Sequence, residues 1–141
     1  MGNVVLITGA SSGIGEQTSY IFAQNAAKLI LTYHSDAVAG EKVRQECLRL
    51  GAGDVMLHEL DLSSEQSLKN FVESVRAKYQ NIDILINNAG MISQNFLANK
   101  TLREITIEME TNLTGPVKLT SLLLPHILEA VINVGSRLGF R

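Results

Sequence analysis

The tightest constraint in this chain is Thr8-Gly9-Ala10-Ser11-Ser12-Gly13-Ile14-Gly15, which follows directly on the apolar run Val4-Val5-Leu6-Ile7. A buried strand that ends in a glycine-rich turn and then opens a helix builds a cradle for phosphate. Side chains at such a turn would obstruct a pyrophosphate, so glycines let backbone N–H groups approach it. The helix N-terminus behind the turn adds unpaired donors and a partial positive charge. The common dinucleotide fingerprint is G-x-G-x-x-G, whereas Gly9, Gly13 and Gly15 here give T-G-x-x-x-G-x-G. A loop that uses glycines for turn chemistry alone is the competing reading.

Strand and helix signals alternate along the rest of the chain. Strands are expected at 4–8, 29–33, 55–60, 82–86 and 131–134, and helices at 15–25, at 37–50, from Ser63 to Tyr79, and as one long stretch over 102–128. In the first helix Ile21, Phe22 and Ala26 are the apolar positions, and Asn25 suits a left-handed stop. Ser63 and Gln66 form a capping box for the third helix, behind which Leu68, Phe71, Val72, Val75 and Tyr79 recur at helical spacing. Strands rich in Val, Ile and Leu without polar alternation are covered on both faces. With helical crossovers they imply an α/β fold, a doubly wound parallel sheet with helices on both faces. Ligands then sit beyond the carboxyl ends of the strands.

The residues at those ends are polar or small. After the second strand come Tyr33, His34, Ser35 and Asp36. A site that prefers NAD commonly places a carboxylate at the end of this strand, where it accepts from the ribose hydroxyls. Here the first acid comes three positions after Tyr33, while His34 and Ser35 can donate to a 2′-phosphate, which favours NADP over NAD. A solvated loop histidine is the plain alternative for His34. After the third strand, Asp61 can accept from an adenine amino group while Leu62 covers the ring, or Asp61 caps the next helix, or both. After the fourth, Asn87-Asn88-Ala89-Gly90 combines close approach with side chains that tie strands together, unless it is a plain turn.

Composition narrows the class. A chain of 141 residues with 45% hydrophobic content makes one domain around one core. The net charge of −2 with mixed signs gives no basic stripe for nucleic acid. Apolar stretches are too short to span a bilayer. Met1-Gly2-Asn3 lacks the charged region of a signal peptide, and Leu6 stands where a myristoylation motif takes Ser or Thr. Cys47 is the single cysteine, and no Cys/His cluster suggests a metal. These features predict a cytoplasmic protein without membrane or metal.

The order TGASSGIG, Asp61-Leu62, NNAG, Thr111-Asn112-Leu113-Thr114-Gly115 and Ile132-Asn133-Val134-Gly135-Ser136 resembles the short-chain dehydrogenase/reductase family. That resemblance implies a Rossmann-type sheet and hydride transfer between a nicotinamide cofactor and a small-molecule carbonyl or alcohol. It implies that Gly9, Ser11, Ser12, Gly13, Ile14 and Gly15 line the pyrophosphate and adenosine side, that Asp61 and Leu62 hold adenine, and that Asn88, Ala89 and Gly90 border the ribose. Asn112 matches the asparagine that organises a water in the family's proton relay, and Ser136 the serine that hydrogen-bonds the substrate oxygen. Read without the family, Asn112 is a polar interruption that bends a helix or binds water, and Ser136 an ordinary loop serine. Helices at the position of 102–128 build subunit interfaces in the family, so a homo-oligomer is expected there. Core packing alone is the alternative for its leucines.

The family's acid/base is Y-x-x-x-K, about a dozen residues beyond the serine. A tyrosine of ordinary pKa near ~10 needs a neighbouring ammonium to move a proton at neutral pH. Tyr20, Tyr33 and Tyr79 have no Lys four residues on, and the sequence reaches Arg141 before such a motif. The helix through Pro125–Ala130 also meets the strand at Val131 without a stop residue, although such loops usually take ~2–6 residues. Both features predict a longer enzyme, with residues absent after Ala130 and after Arg141. A non-catalytic dinucleotide-binding or sensor module is the alternative function.

Overall fold

The computed structural model describes residues 2–136. Five strands form one parallel sheet: β1 (Val4–Ile7), β2 (Lys28–Tyr33), β3 (Asp54–Glu59), β4 (Ile82–Asn87) and β5 (Ile127–Asn133), in the spatial order β3-β2-β1-β4-β5. The chain winds outward from β1 to β3 and then returns to pair β4 with the other side of β1. The crevice between β1 and β4 is therefore the topological switch point, where open α/β sheets take ligands.

Both faces of the sheet are covered, as unbroken apolar strands require. Val5, Ile7, Leu29 and Leu31 pack with Ala23, Val43 and Cys47 of helices α1 (Gly13–Gln24) and α2 (Ala37–Leu50). Leu6, Ile30 and Leu85 pack on the opposite face with Leu68, Phe71 and Val75 of α3 (Glu65–Lys78) and, beyond α4 (Leu102–Met109), with Leu119 and Leu123 of α5 (Gly115–Leu123). The alternation of Val5, Leu6 and Ile7 between faces is the two-residue period of a strand.

Four local expectations are corrected. The face that α1 buries is Gly15, Ser19 and Ala23, one residue every turn, while Ile21 is 61% exposed. Small residues there let the helix lie close to the sheet. The left-handed residue after α1 is Ala26 at φ 59°, not Asn25, whose side chain instead donates to Ile21 O. The cap of α3 is Ser64, which accepts from Ser67 N, because Ser63 is drawn back to Asp61. The stretch 102–128 is not one helix: α4 ends in a widened π turn over Glu110–Thr114, α5 follows, and a 3₁₀ turn covers Leu124–His126. Pro116 explains the break, since it has no N–H for the carbonyl four residues back, at Asn112, and its ring crowds that carbonyl.

The last strand also starts earlier than expected. β5 begins at Ile127 rather than Val131, directly after the 3₁₀ turn. Ile127 pairs with Ile82 and Ala130 with Ile84, so the ladder takes up one extra residue between them.

Candidate functional site

Two buried threonines weave the carboxyl ends of the central strands together. Thr8 Oγ1 accepts from the N–H groups of Asn88 (3.1 Å) and Ala89 (3.0 Å), joining β1 to β4. Asn88 Nδ2 returns to the carbonyl oxygens of Thr8 (3.0 Å) and Gly9 (3.1 Å). Thr32 binds the other side of the turn, accepting from Gly9 N at its Oγ1 (3.2 Å) and from Ala10 N at its carbonyl (2.9 Å). The N–H groups of Thr8, Gly9 and Ala10 are thus all held by protein, the first by Ile86 O.

The packing explains the glycines. Gly9 sits at φ +63°, and a Cβ there would meet Ala89 Cα at 2.7 Å. Gly15 is buried under the turn, where a Cβ would meet Gly9 O at 2.3 Å and Asn88 Nδ2 at 2.5 Å. A Cβ on Gly13, by contrast, would project into open space. That space is the mouth of the cradle.

The first turn of α1 faces it unsatisfied. Ser12 is extended at the N-cap and its side chain makes no capping bond, whereas Asp36, Ser64 and Thr101 cap α2, α3 and α4. The N–H groups of residues 13–15 therefore point at a groove with a positive dipole end behind them, the arrangement that binds phosphate. Ser11, Ser12, Gly13 and Ile14 line this groove, which encloses about 860 Å³. Ile14 is 63% exposed there, an apolar side chain left for a ligand to cover.

The groove continues across β2 and β3. Tyr33, His34, Asp61 and Leu62 line it on that side, and Asn88, Ala89 and Gly90 on the β4 side. Ser35 is exposed beside the groove wall rather than on it. Asp61 accepts from the Ser63 hydroxyl (2.7 Å) and N–H (3.0 Å), and its other oxygen stands 4.0 Å from His34 Nε2. The Ser63 hydroxyl above all, with the Ser63 N–H and His34, holds the Asp61 carboxyl below its ordinary range. Asp61 thus stays an acceptor, and it shapes the turn before α3 without capping it.

Asn112 sits in the π turn, and its side chain grips the segment after β4. Oδ1 accepts from Met91 N (2.7 Å) and Nδ2 donates to Met91 O (2.6 Å). Glu108, one turn earlier, pins the same segment by pairing with Lys100 (2.7 Å) and accepting from Ser93 N, and these partners lower its pKa to about 2. A second cavity of about 430 Å³ opens between α5 and β5, with Asn112, Thr120, Asn87 and Asn133 on its wall. Asn87 Nδ2 donates to both Thr120 Oγ1 (3.0 Å) and Asn133 Oδ1 (2.9 Å). Ser136 lies three residues past β5, exposed at the same end of the sheet.

The tyrosines are placed elsewhere. Tyr20 donates to Glu16 (2.7 Å) and Tyr79 to Asp54 (2.6 Å), and burial together with these carboxylates pushes both phenols up, away from acid/base work near neutrality. Sequence reasoning does not single out Thr32, Arg103, Thr106 or Ile107 as site residues. Thr32 is a lone polar residue inside an apolar strand, and that was its available signal. The other three line the groove from α4, and no spacing rule placed that helix over the cradle. Among the described residues no group of three or more His, Cys, Asp or Glu is arranged to hold a metal, and no helix is long and apolar enough to cross a membrane.

Known proteins share this arrangement. The sequence pattern of the family described as short chain dehydrogenase matches residues 3–141. The 11-beta-hydroxysteroid dehydrogenase-like 4A of Arabidopsis thaliana is 33% identical over 99% of this chain and 48% of its own length. The 3-oxoacyl-[acyl-carrier-protein] reductase FabG of Thermotoga maritima is 33% identical over 98% of this chain and 57% of its own. The chain thus spans about half the length of the curated relatives it matches. A short chain dehydrogenase of Burkholderia cenocepacia J2315, solved in complex with NADP, superposes with a TM-score of 0.92 at 26% identity, over 100% of this chain and 58% of that one. The NADH-dependent reductase A1-R′, solved with NAD, gives 0.86 at 26% identity, over 96% of this chain and 60% of that one. With its cradle, strand order and sequence pattern in agreement, the chain belongs to the short-chain dehydrogenase family.

Proposed function

We propose that this chain forms the cofactor half of an NAD(P)-dependent oxidoreductase that moves hydride between a nicotinamide and a carbonyl or secondary alcohol. The uncapped first turn of α1 over the Gly9–Gly15 cradle carries the reading, because it leaves anion-binding donors unused, whereas Asp36, Ser64 and Thr101 cap the starts of α2, α3 and α4. Gly9, Ser11, Ser12, Gly13 and Ile14 hold the pyrophosphate side, with Gly15 buried as the support that lets α1 approach. Asp61 and Leu62 take the adenine, and Asn88, Ala89 and Gly90 border the ribose. The bound nicotinamide supplies or accepts the hydride.

This chain's own residues set the geometry. Asn112 keeps the wall after β4 in place through Met91, so a relay water at this point is bound by its main chain, whose carbonyl has lost its usual donor to Pro116. Ser136 donates to the substrate oxygen from the end of β5. NADP is the preferred cofactor: the strand-end position holds Tyr33 instead of a carboxylate, and His34 and Ser35 beside it are donors. Leu113, Val117, Leu122 and Leu124 stay 43–60% exposed on and beside α5, which supports assembly of copies through this region. A binding or sensing module without turnover is the second reading, favoured by the engagement of Tyr20 and Tyr79 with carboxylates.

Label transfer tests the proposal. NADPH deuterated at nicotinamide C4, incubated with the protein and a panel of ketones, should give deuterated alcohols, and Ser136→Ala should slow transfer by up to a few orders of magnitude. Tight cofactor binding without label transfer would support the module reading.

A further inference from the structure

Among the described residues α4 is the one α-helix without apolar anchorage. Helices α1, α2, α3 and α5 each bury three residues, whereas neither α4 nor the π turn after it buries any. No side chain from 102–114 joins either apolar core. What holds α4 is a polar row along one of its faces. Glu104 accepts from Asn95 Nδ2 (3.2 Å), Glu108 from Ser93 N, and Asn112 from Met91 N (2.7 Å). The row climbs four residues at a time while its partners descend two at a time, so the segment after β4 runs antiparallel to the helix. Two residues of extended chain advance about 6.5 Å and four residues of helix about 6 Å, which keeps the contacts in step.

The middle contact is the strongest of the row. Lys100 reaches the second Glu108 oxygen at 2.7 Å, and the two side chains are 11% and 16% exposed, the most enclosed ion pair among the described residues. Solvent screens a pair in that setting much less than an exposed one. The groove side of α4 is a different face. Arg103, Thr106, Ile107 and Glu110 line the groove, roughly a third of a turn round the axis from Glu104 and Glu108. One helix thus carries both the fastening and a wall, and no buried side chain of α4 would hold that wall if the fastening opened.

We infer that Glu108 is a positioning residue for the groove: through Lys100 and Ser93 it fastens α4 to the segment after β4 and so sets where the wall stands when a dinucleotide enters. This rests on the dinucleotide reading above. Glu108, Lys100 and Ser93 do not themselves line the groove, so the effect on affinity is indirect and is shared by NADPH and NADH.

Amide hydrogen exchange of the free protein, paired with calorimetric titration of NADPH and NADH, tests it. In Glu108→Ala, exchange should quicken across 91–109 while the amides of β1 and β4 keep wild-type rates, and both dinucleotides should weaken by the same factor, about three- to tenfold. Lys100→Met removes the same pair from the segment's side and should act in the same direction, which covers a failure of Glu108→Ala to fold. Lys100→Arg keeps the pair and should stay near wild type in both measurements. Faster exchange confined to 91–100 with wild-type affinity would mean that Glu108 holds the segment and not the wall, and would overturn the inference. Equal quickening in β1 and β4, or a loss in Lys100→Arg as large as in Lys100→Met, would overturn it too. If the wild type binds neither dinucleotide, the dinucleotide reading falls, while exchange still decides whether Glu108 fastens α4.

Discussion

Asn88 and Thr8 hold each other from both sides: the Thr8 hydroxyl accepts the Asn88 N–H at 3.1 Å, and the Asn88 amide donates back to the Thr8 carbonyl at 3.0 Å. This reciprocal pair clamps β4 to β1 at the switch point, where the phosphate cradle begins. Thr8→Val keeps the shape but strands the N–H groups of Asn88 and Ala89. It should cost about 2–6 kcal/mol, at about 1–3 kcal/mol for each of the two donors left unsatisfied, while Thr8→Ser stays near wild type. Urea unfolding of the two variants checks this.

Gly15→Ala places a methyl against Gly9 O and the Asn88 amide. Neither can yield without opening the β1–α1 turn, because the opposing atoms are backbone or are themselves hydrogen-bonded across strands. Overpacking of this kind costs about 1–3 kcal/mol. Dinucleotide affinity should fall more than stability does, since the displaced helix carries the anion-binding donors. A variant that melts lower but binds NADPH normally would show that α1 does not hold the cofactor.

The His34 position should set cofactor choice. His34→Asp puts a carboxylate beside Tyr33, where it repels a 2′-phosphate and accepts from ribose hydroxyls. The preference should swing from NADPH toward NADH by at least about tenfold, the effect of a ~1.4 kcal/mol difference. Paired titrations of wild type and variant measure it, and an unchanged ratio would remove His34 from the site.

Glu108 gives the segment after β4 an acid dependence. Its folded pKa lies near 2, below the ordinary value of 4.5, because Lys100 and Ser93 bind the carboxylate. A depressed carboxyl contributes stability that is fully present above its unfolded pKa and is lost as pH falls from about 4.5 toward 2. Wild type should therefore lose more stability than Glu108→Gln on acidification through that window, and the protection of the Ser93 amide against exchange, relative to its intrinsic rate, should fall with it. Equal loss in both proteins would contradict the assignment.

Much of this was readable from local pattern. Parallel strands buried on both faces show as continuous Val, Ile and Leu, and the doubly wound sheet follows from their alternation with helical spacing. Gly9, Gly13, Asp61, Leu62 and Asn88 stand on the groove because strand ends converge there by topology. The misreadings arose where a short-range signal met a tertiary one. The leucines after Gly115 continue a helical pattern, but Pro116 forces the turn at Asn112 to widen, and pairing with β4 pulls Ile127 into a strand. Ser63 looked like a cap until Asp61 claimed its hydroxyl. Arg103 carried no signal at all, since only the path of α4 across the groove brings it to the site.

The central claim is that the Gly9–Gly15 turn and the uncapped end of α1 hold a nicotinamide dinucleotide. With no tryptophan in the chain, NADPH fluorescence can be followed directly as the protein is titrated. Saturable binding at one site per chain is predicted, tighter for NADPH than for NADH and weakened by Gly15→Ala. No saturable binding of either dinucleotide would contradict the account.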